Sequence, residues 1–252
     1  MNVFLSVENI KLCYQTLQGE TLAIKDVSFA VEKGQFVSIV GPSGCGKSTL
    51  LSCIAGITAP TRGRIVLGDK TITGISHNIG YMLQSDNLLP WRTIYKNVLL
   101  GLEIQKKLTP RNIEYTRSLL KKYDLWEFRN SYPAALSGGM RQRAALIRTL
   151  AVRPELLLLD EAFSALDYQT RVTVSQDVYN ILRSENQTMI MVTHDIPEAV
   201  SMSDRIIILS HRPATVAKQV DIPFGSKRDT IVLRGTPEYR SCYDTVWKEM
   251  SR

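Results

Sequence analysis

The chain has 252 residues, a formal net charge of +7 and 44% hydrophobic residues, which is enough apolar material for a full α/β core. No window approaches about eighteen uncharged apolar residues, and the N-terminus lacks the order of a signal peptide, so we expect a cytosolic chain without a membrane span. The four cysteines have no paired C-x-x-C spacing, so neither a zinc site nor a disulfide framework is indicated.

Short strands are predicted on both sides of a glycine-rich turn in the first third of the chain. Apolar residues alternate at Val27, Phe29 and Val31, which is typical of antiparallel strands. The apolar run that begins near residue 35 predicts a buried strand before the turn. Further short strands are predicted between residues 61 and 83.

The periodicity changes at Thr93, where apolar residues recur at every fourth position and predict a helical insertion of about sixty residues. The sheet then resumes with three runs that are apolar on both faces, at 156–159, 189–192 and 206–209, as in buried parallel strands. A helix with one apolar face lies between the first two runs and predicts a right-handed crossover. Prolines break the segment after Ser210 into turns, and we interpret it as a covering appendage.

The strongest motif has the G-x-x-x-x-G-K-[ST] spacing of a phosphate-binding loop. Its glycines let the backbone curl until several N–H groups point at one anion, and the next helix adds its positive N-terminal end. Lys47 is suited to reach the β- and γ-phosphates, and the Ser48 hydroxyl to bind Mg²⁺. The predicted nucleotide-binding residues here are Gly41, Pro42, Ser43, Gly44, Cys45, Gly46, Lys47, Ser48 and Thr49.

Cys45 lies inside this predicted loop. Because a helix N-terminus favours the thiolate, we expect mild sensitivity to alkylation, with protection by ATP. The alternative is that Cys45 is a small side chain that only fills the loop.

Two adjacent carboxylates follow the predicted strand 156–159, at the end where open α/β sheets bind their ligands. Asp160 is suited to hold Mg²⁺ through its water shell. Glu161 is suited to orient or deprotonate an attacking water, which makes the reaction a hydrolysis. The alternative is that one of the pair only caps the next turn.

A second phosphate-binding device is predicted at LSGGMRQR, residues 136–143, where Ser137, Gly138 and Gly139 precede a helix. One γ-phosphate does not need two such cradles from the same chain. We therefore expect this one to serve a nucleotide held by another subunit, in a head-to-tail, two-fold dimer. An ordinary capped helix is the alternative.

The order of these motifs resembles the ATPase subunits of ATP-binding cassette (ABC) transporters over nearly the whole chain. The resemblance implies a single domain with the three-layer α/β core of P-loop NTPases, an antiparallel β subdomain and an α-helical subdomain. The expected parts are a nucleotide-binding core at 1–88 and 155–215, a helical subdomain with the signature motif at 89–154, and a C-terminal appendage at 216–252.

The resemblance also implies roles for four side chains that would, taken alone, be assigned to structure. Tyr14 is similar to the aromatic residue that stacks on adenine. Gln84 is similar to the glutamine that senses Mg²⁺ and the transport partner, and thus joins Lys47, Glu161 and His194 as a catalytic candidate. Asp167 is similar to the residue that links the two active sites, and His194 to the histidine that contacts the γ-phosphate.

The implied partners are a second copy of this chain, a separate membrane permease and, indirectly, an extracytoplasmic solute-binding protein, but no nucleic acid. We expect the permease to dock near residues 84–91, whose apolar cluster includes Trp91, although local core packing is the alternative. The chain would then lie at the cytoplasmic face of the membrane. The sequences LLPWRT and SYPAALSGGMRQR are similar to those of the ATPase subunits of importers of nitrate, sulfonate and taurine.

Two other classes remain open from the sequence. A soluble ABC ATPase that acts on ribosomes or nucleic acid would share every nucleotide motif, although such proteins usually carry two cassettes or a long coiled-coil insertion. A small-molecule kinase would share only the phosphate loop and would leave LSGG and Glu161 unexplained.

Overall fold

The computed structural model describes residues 3–16, 19–225 and 228–251, and its contacts divide the chain into two compact units. The first unit comprises Met1–Ser76 and Arg183–Arg252, and the second comprises His77–Leu182. None of the helices in the described ranges is long and apolar enough to cross a membrane.

The N-terminal part of the first unit contains five strands and one helix in its described residues: β1 (Val3–Thr16), β2 (Gly19–Glu32), β3 (Phe36–Val40), α1 (Lys47–Ile54), β4 (Arg62–Leu67) and β5 (Lys70–Thr71). The second unit holds two strands, a short 3₁₀ helix at Pro133–Ala135 and four α-helices, of which the last ends just past the unit boundary. These elements are β6 (Ile79–Met82), α2 (Ile94–Ile104), α3 (Pro110–Lys122), α4 (Gly138–Ala151), β7 (Leu156–Asp160) and α5 (Tyr168–Ser184). The C-terminal part of the first unit adds β8 (Thr188–Val192), α6 (Ile196–Met202), β9 (Arg205–Leu209), β10 (Ala214–Asp221), α7 (Thr230–Leu233) and α8 (Pro237–Met250).

The sheet of the first unit combines antiparallel and parallel strands in the order β5-β4-β1-β2-β10-β9-β3-β8. Strand β1 pairs antiparallel with β2 and β4, which confirms the prediction from the alternating residues. Strand β3 is buried along its whole length and lies between β8 and β9, both parallel to it. The fully apolar runs thus form the interior of the sheet, as predicted, because their side chains are buried on both faces.

The C-terminal segment contains more regular structure than its prolines indicate. Strand β10 pairs antiparallel with β9 and parallel with β2, so it is part of the sheet of the first unit. Helix α8 buries Tyr239 and Val246 in a cluster that includes Ile206 and Ile208 of β9. Strand β10 lacks the pattern by which a strand is recognised in a sequence, because its three middle residues, 217–219, are exposed and only Ala214 is fully buried.

In the second unit, β6 and β7 form a parallel pair, and α2 packs against α4. Helix α2 begins at Ile94, with the Thr93 hydroxyl accepting a hydrogen bond from the Lys96 N–H, where the change to helical periodicity was predicted. Asn97 on α2 is 0% exposed and fixes the preceding loop. Its side-chain oxygen accepts from the Leu89 N–H at 2.7 Å, and its amide donates to the carbonyls of Leu89, Arg92 and Thr93.

Asn97→Ala is expected to lower the free energy of unfolding by about 2–4 kcal/mol, because it removes four side-chain hydrogen bonds and leaves the Leu89 N–H and the Arg92 carbonyl without the partner they have in Asn97. The carbonyls of Leu89 and Thr93 keep hydrogen bonds from the backbone N–H groups of Arg92 and Asn97. Chemical denaturation followed by circular dichroism measures the loss.

Asn112→Ala is the matched control: the Asn112 amide also donates to a backbone carbonyl, that of Lys107, but in an exposed position. We expect the control to cost less than about 1 kcal/mol, and equal losses would contradict the role assigned to Asn97.

Candidate nucleotide-binding site

The predicted phosphate loop connects β3 to α1 in the first unit, and its backbone adopts conformations that require glycine. Gly44 has φ 72° and Gly46, the N-cap residue of α1, has φ 115°, in the region that side-chain-bearing residues disfavour. A Cβ on Gly41 would lie 3.0 Å from the Leu209 carbonyl oxygen. The tight curl therefore depends on glycine at these positions. No side chain caps α1 at Gly46, so the start of the helix presents its backbone to the loop.

The side chain of Lys47 folds back over this loop. Its ammonium donates to the carbonyl oxygens of Gly41 at 2.8 Å and Pro42 at 2.9 Å. The residue is 6% exposed, so the loop holds a buried positive charge at its centre. An anion seated on the loop would meet this charge together with the N-terminus of α1.

The structure corrects the expectation for Cys45. The thiol is 1% exposed, and burial raises its pKa, while the charge of Lys47 only partly opposes this effect. The helix end does not produce a thiolate here because desolvation of the charged form outweighs it. These observations favour the alternative, in which Cys45 is a small buried side chain that fills the loop.

Tyr14 and His194 belong to the same unit as the phosphate loop. The ring of Tyr14 is 40% exposed, and its hydroxyl donates to the Thr49 hydroxyl at 3.4 Å, which connects it to α1. His194 is exposed and lies two residues after the end of β8. Because Ile39 of β3 pairs with Val192 of parallel β8, the phosphate loop and His194 follow the same end of adjacent strands.

Gln84, Asp160 and Glu161 meet at the corresponding edge of the β6–β7 pair in the second unit. Met82 pairs with Leu159, so Gln84 and the two carboxylates follow the same end of these parallel strands. The Gln84 amide donates to the Ser164 hydroxyl at 3.1 Å, and that hydroxyl donates to the Glu161 carbonyl oxygen at 2.9 Å. A continuous hydrogen-bonded chain thus connects Gln84 to the backbone of Glu161.

The backbone of Glu161 has φ 47°, a left-handed conformation that costs a residue with a side chain about 1–3 kcal/mol. The turn compensates in part, since both the N–H and the hydroxyl of Ser164 donate to the Glu161 carbonyl. This strained turn directs the chain sharply away from β7 immediately after Asp160. The direction of the Glu161 side chain is therefore set by this turn and not by the alternation of side chains along β7.

The LSGGMRQR segment, residues 136–143, which is the signature motif of the family, spans the start of α4. The Ser137 hydroxyl accepts a hydrogen bond from the Met140 N–H at 3.3 Å, so Ser137 is the N-cap of the helix. A Cβ on Gly139 would lie 2.8 Å from a methyl carbon of Val174 on α5. The capped helix considered as the alternative is therefore present, and Gly139 has a packing role; Ser137 itself is exposed.

Asp167 is exposed and directly precedes α5. Hydrogen bonds from the Thr170 hydroxyl and backbone N–H lower the pKa of its carboxyl group. The carboxylate therefore stabilises the first turn of α5, as a capping residue does.

The predicted docking segment divides into inward and outward parts. Leu88 is buried at 7% exposure and has the core role that was the alternative, whereas the Trp91 ring is 71% exposed. Arg148 on α4 donates to the backbone carbonyls of Asp86 at 2.7 Å and Asn87 at 2.6 Å. The segment is thus a fixed loop with one large aromatic side chain facing outward.

Two side chains that our sequence analysis did not assign to the site contact it. The Tyr81 hydroxyl donates to Asp160 at 3.0 Å, and Ser164 bridges Gln84 to Glu161. Tyr81 lies on β6, and Ser164 lies three residues after Glu161. Only the distances in the folded structure show these hydrogen bonds.

The candidate Mg²⁺ ligands offer a hydroxyl, a carboxylate and an amide oxygen, which are the hard donors that this ion prefers. No group of three or more His, Cys, Asp or Glu side chains in the described ranges forms a metal cage. Each of these donors, Ser48 in the first unit and Gln84 and Asp160 in the second, is of the kind that suits an ion held largely by nucleotide phosphates and water, as Mg²⁺ usually is.

Comparisons with known proteins agree with the motif order. The ABC transporter family model matches residues 24–164. The chain is 45% identical to the uncharacterized ABC transporter ATP-binding protein YtlC of Bacillus subtilis, over 98% of this chain and 96% of that protein. It is 39% identical to the nitrate import ATP-binding protein NrtC of Synechococcus elongatus, over 95% of this chain and 37% of the relative.

A solved structure supports the same assignment. The dimeric post-hydrolysis state of the ATP-binding cassette MJ0796, bound to ADP and Pi, superposes with a TM-score of 0.73 and 29% identity, covering 88% of this chain and all of that one. These matches favour a transporter ATPase over the ribosome- or DNA-bound alternative. The chain belongs to the ABC transporter family, has the fold of its P-loop ATPase cassettes, and is an ATP-binding subunit that hydrolyses ATP to drive transport.

Proposed function

We propose that this subunit drives the import of a small anion through a separate membrane permease. The observation that carries the proposal is the hydrogen-bonded chain from Gln84 through Ser164 to Glu161. It connects the start of the docking segment to the backbone of Glu161, the residue whose carboxylate is assigned to the attacking water. A permease that contacts this segment would therefore act on the turn that positions the hydrolytic carboxylate.

The nucleotide cycle uses two copies of the chain. ATP is held by the phosphate loop and Lys47 of one copy and closes the dimer against Ser137, Gly138 and Gly139 of the other, with Asp167 linking the two sites and Tyr14 on the adenine. Support comes from the charge and backbone at the loop, and from the dimeric, ADP- and Pi-bound state of MJ0796. Hydrolysis removes the bridging phosphate and reopens the dimer.

Within each site, Glu161 orients or deprotonates the attacking water, and His194 contacts the γ-phosphate. Mg²⁺, when bound, neutralises charge on the phosphates, and Ser48, Gln84 and Asp160 are its candidate ligands. The hydrogen bond from Tyr81 orients the Asp160 carboxylate for this task.

We assign permease docking to the loop 84–91, with Trp91 as its anchor and the helical segment 89–154 as its support. The exposed ring on a loop fixed by Asn97 and Arg148 is the kind of aromatic feature that dominates protein interfaces. The subunit then lies at the cytoplasmic face of the membrane, and an extracytoplasmic binding protein delivers the solute to the permease.

The cargo is proposed to be a small inorganic or organic anion such as nitrate, sulfonate or taurine. The support is the similarity to the nitrate import protein NrtC, together with the LLPWRT sequence in and beside the docking segment. Cargo recognition itself is assigned to the permease and the binding protein.

Glu161→Gln is expected to bind ATP normally but to hydrolyse it about 10²–10⁴-fold more slowly, because the amide cannot accept the proton of the attacking water. Phosphate release measures turnover, and size-exclusion chromatography with ATP should show accumulated dimer. Glu238→Gln removes an exposed carboxylate at the start of α8 and serves as the control. Normal turnover by Glu161→Gln would refute the assigned role.

Ser164→Ala is expected to lower kcat by about tenfold to a hundredfold, because it removes the hydroxyl that joins Gln84 to Glu161. KM for ATP should stay unchanged, since Ser164 is not assigned to nucleotide binding. Ser164→Thr retains a hydroxyl and should restore most of the rate. A variant whose KM rises while kcat is preserved would be inconsistent with a role in positioning Glu161.

Trp91→Ala is expected to lower recovery of the permease by about tenfold when the tagged chain is purified from gently solubilised membranes of its host. ATPase activity of the isolated subunit should be unaffected. Trp247→Ala is the control, since Trp247 is also exposed but lies on α8. Mass spectrometry identifies the bound proteins, and recovery of ribosomal or DNA-bound proteins without a permease would overturn the proposed function.

A further inference from the structure

A solvent-open cavity of about 430 Å³ lies in the first unit, where α8 packs near the start of α6. Its lining residues are Pro197, Arg234, Tyr239, Arg240, Tyr243 and Asp244. The volume is in the range of small-molecule sites. None of these residues has a role in the transport cycle described above.

Arg234 gives the cavity an unsatisfied cationic donor. Its Nε atom is buried and has no hydrogen-bond partner among the described residues. Nor does either Arg234 or Arg240 form an ion pair with any residue in the ranges 3–16, 19–225 and 228–251. Arg234 as a whole is half-buried. A buried N–H of a guanidinium normally has a partner, and a planar carboxylate or phosphate is the group that matches its fork of donors.

Two aromatic rings supply an apolar surface beside these charges. Tyr239 is buried at 8% exposure and stacks with Tyr243, with ring centroids 6.4 Å apart and planes 25° apart. Tyr243 in turn stacks on Trp247 at 6.2 Å and 12°. The rings are therefore held in a ladder along α8, which presents a rigid face to a flat apolar group.

The cavity also adjoins the turn that carries His194. Pro197 is in the first turn of α6, whose N-cap Asp195 directly follows His194. The Asp195 carboxylate accepts from the Glu198 N–H at 2.9 Å, and the Thr193 hydroxyl donates to the Glu198 carboxylate at 2.9 Å. A ligand that contacts Pro197 would thus touch a turn whose hydrogen bonds fix the chain on both sides of His194.

We propose that this cavity binds a small organic anion with a flat apolar body, and that occupancy changes the rate of ATP hydrolysis. Arg234 and Arg240 hold the anionic group and the tyrosine rings hold the apolar body. Asp244 disfavours ligands with several negative charges, because a carboxylate in the lining repels them. The binding part stands on the cavity alone, whereas the rate effect rests on the proposed role of His194.

Benzoate is the probe, and it is tested on the full chain with saturating ADP, which occupies the phosphate loop and prevents anion binding there. Ligand-observed NMR titration measures its Kd. Benzyl alcohol serves as the uncharged analogue and inorganic phosphate as the anion without an apolar body. We expect both to bind at least about tenfold more weakly than benzoate.

Arg234→Gln and Arg240→Gln are each expected to raise the Kd of benzoate by about tenfold or more. Arg240 is exposed, so its variant keeps the test informative if Arg234→Gln folds poorly. Arg111→Gln, at an exposed position on α3, is the matched control and should bind benzoate like the parent chain. Equal Kd values for all three variants, or equal binding of benzyl alcohol, would overturn the site.

The rate effect has a separate measurement. Benzoate at saturation should change kcat for ATP by at least about twofold in the parent chain and leave it unchanged in Arg240→Gln. Binding without a change in kcat would overturn the regulatory part while leaving the site intact. Failure of the transport assignment would not alter the binding result, because that titration requires neither hydrolysis nor a permease.

Discussion

Parallel pairing between buried strands is the constraint on which the candidate site depends. In the first unit, the Ile39–Val192 register of β3 and β8 brings the phosphate loop and His194 to one edge. In the second unit, the Met82–Leu159 register of β6 and β7 does the same for Gln84 and the carboxylates. Strands β3, β7 and β8 are buried on both faces, so packing on each side holds the strand ends in place and with them the site residues that follow.

In both predicted phosphate-binding motifs, glycine meets a structural requirement and leaves other groups available to bind nucleotide. Gly46 combines φ 115° with the uncapped start of α1, so the conformation that glycine permits also leaves helix N–H groups directed at the loop. At the signature motif, Gly139 lets α4 approach Val174 of α5, while Ser137 caps the helix. The capped helix and the phosphate-binding role proposed for LSGG are therefore compatible, because Gly139 packs against α5 while Ser137 is exposed.

The sequence predicted features that depend on local backbone requirements and on strand burial. The phosphate loop, the buried parallel strands and the start of α2 at Ile94 follow from glycine spacing, apolar runs and helical periodicity. Features that depend on tertiary distances were missed, among them the bridge through Ser164 and the burial of Cys45. The thiolate expected at Cys45 is disfavoured by desolvation, which raises the pKa of the thiol and which a sequence does not reveal, whereas the helix end that favours the thiolate can be recognised in the sequence.

The second unit also gives a physical reason why docking at 84–91 would affect hydrolysis. Arg141, in the first turns of the signature helix, donates to the Asp86 carboxylate at 3.0 Å, and Arg148 holds the adjacent backbone. A flexible loop would absorb a displacement at Trp91, whereas a loop held at these points passes it on. The same short segment is thus bonded to the signature helix on one side and, through Gln84 and Ser164, to the Glu161 turn on the other. A strained backbone persists only where the surrounding structure holds it, so a displacement that reached the Glu161 turn through Ser164 would change the position of the Glu161 side chain.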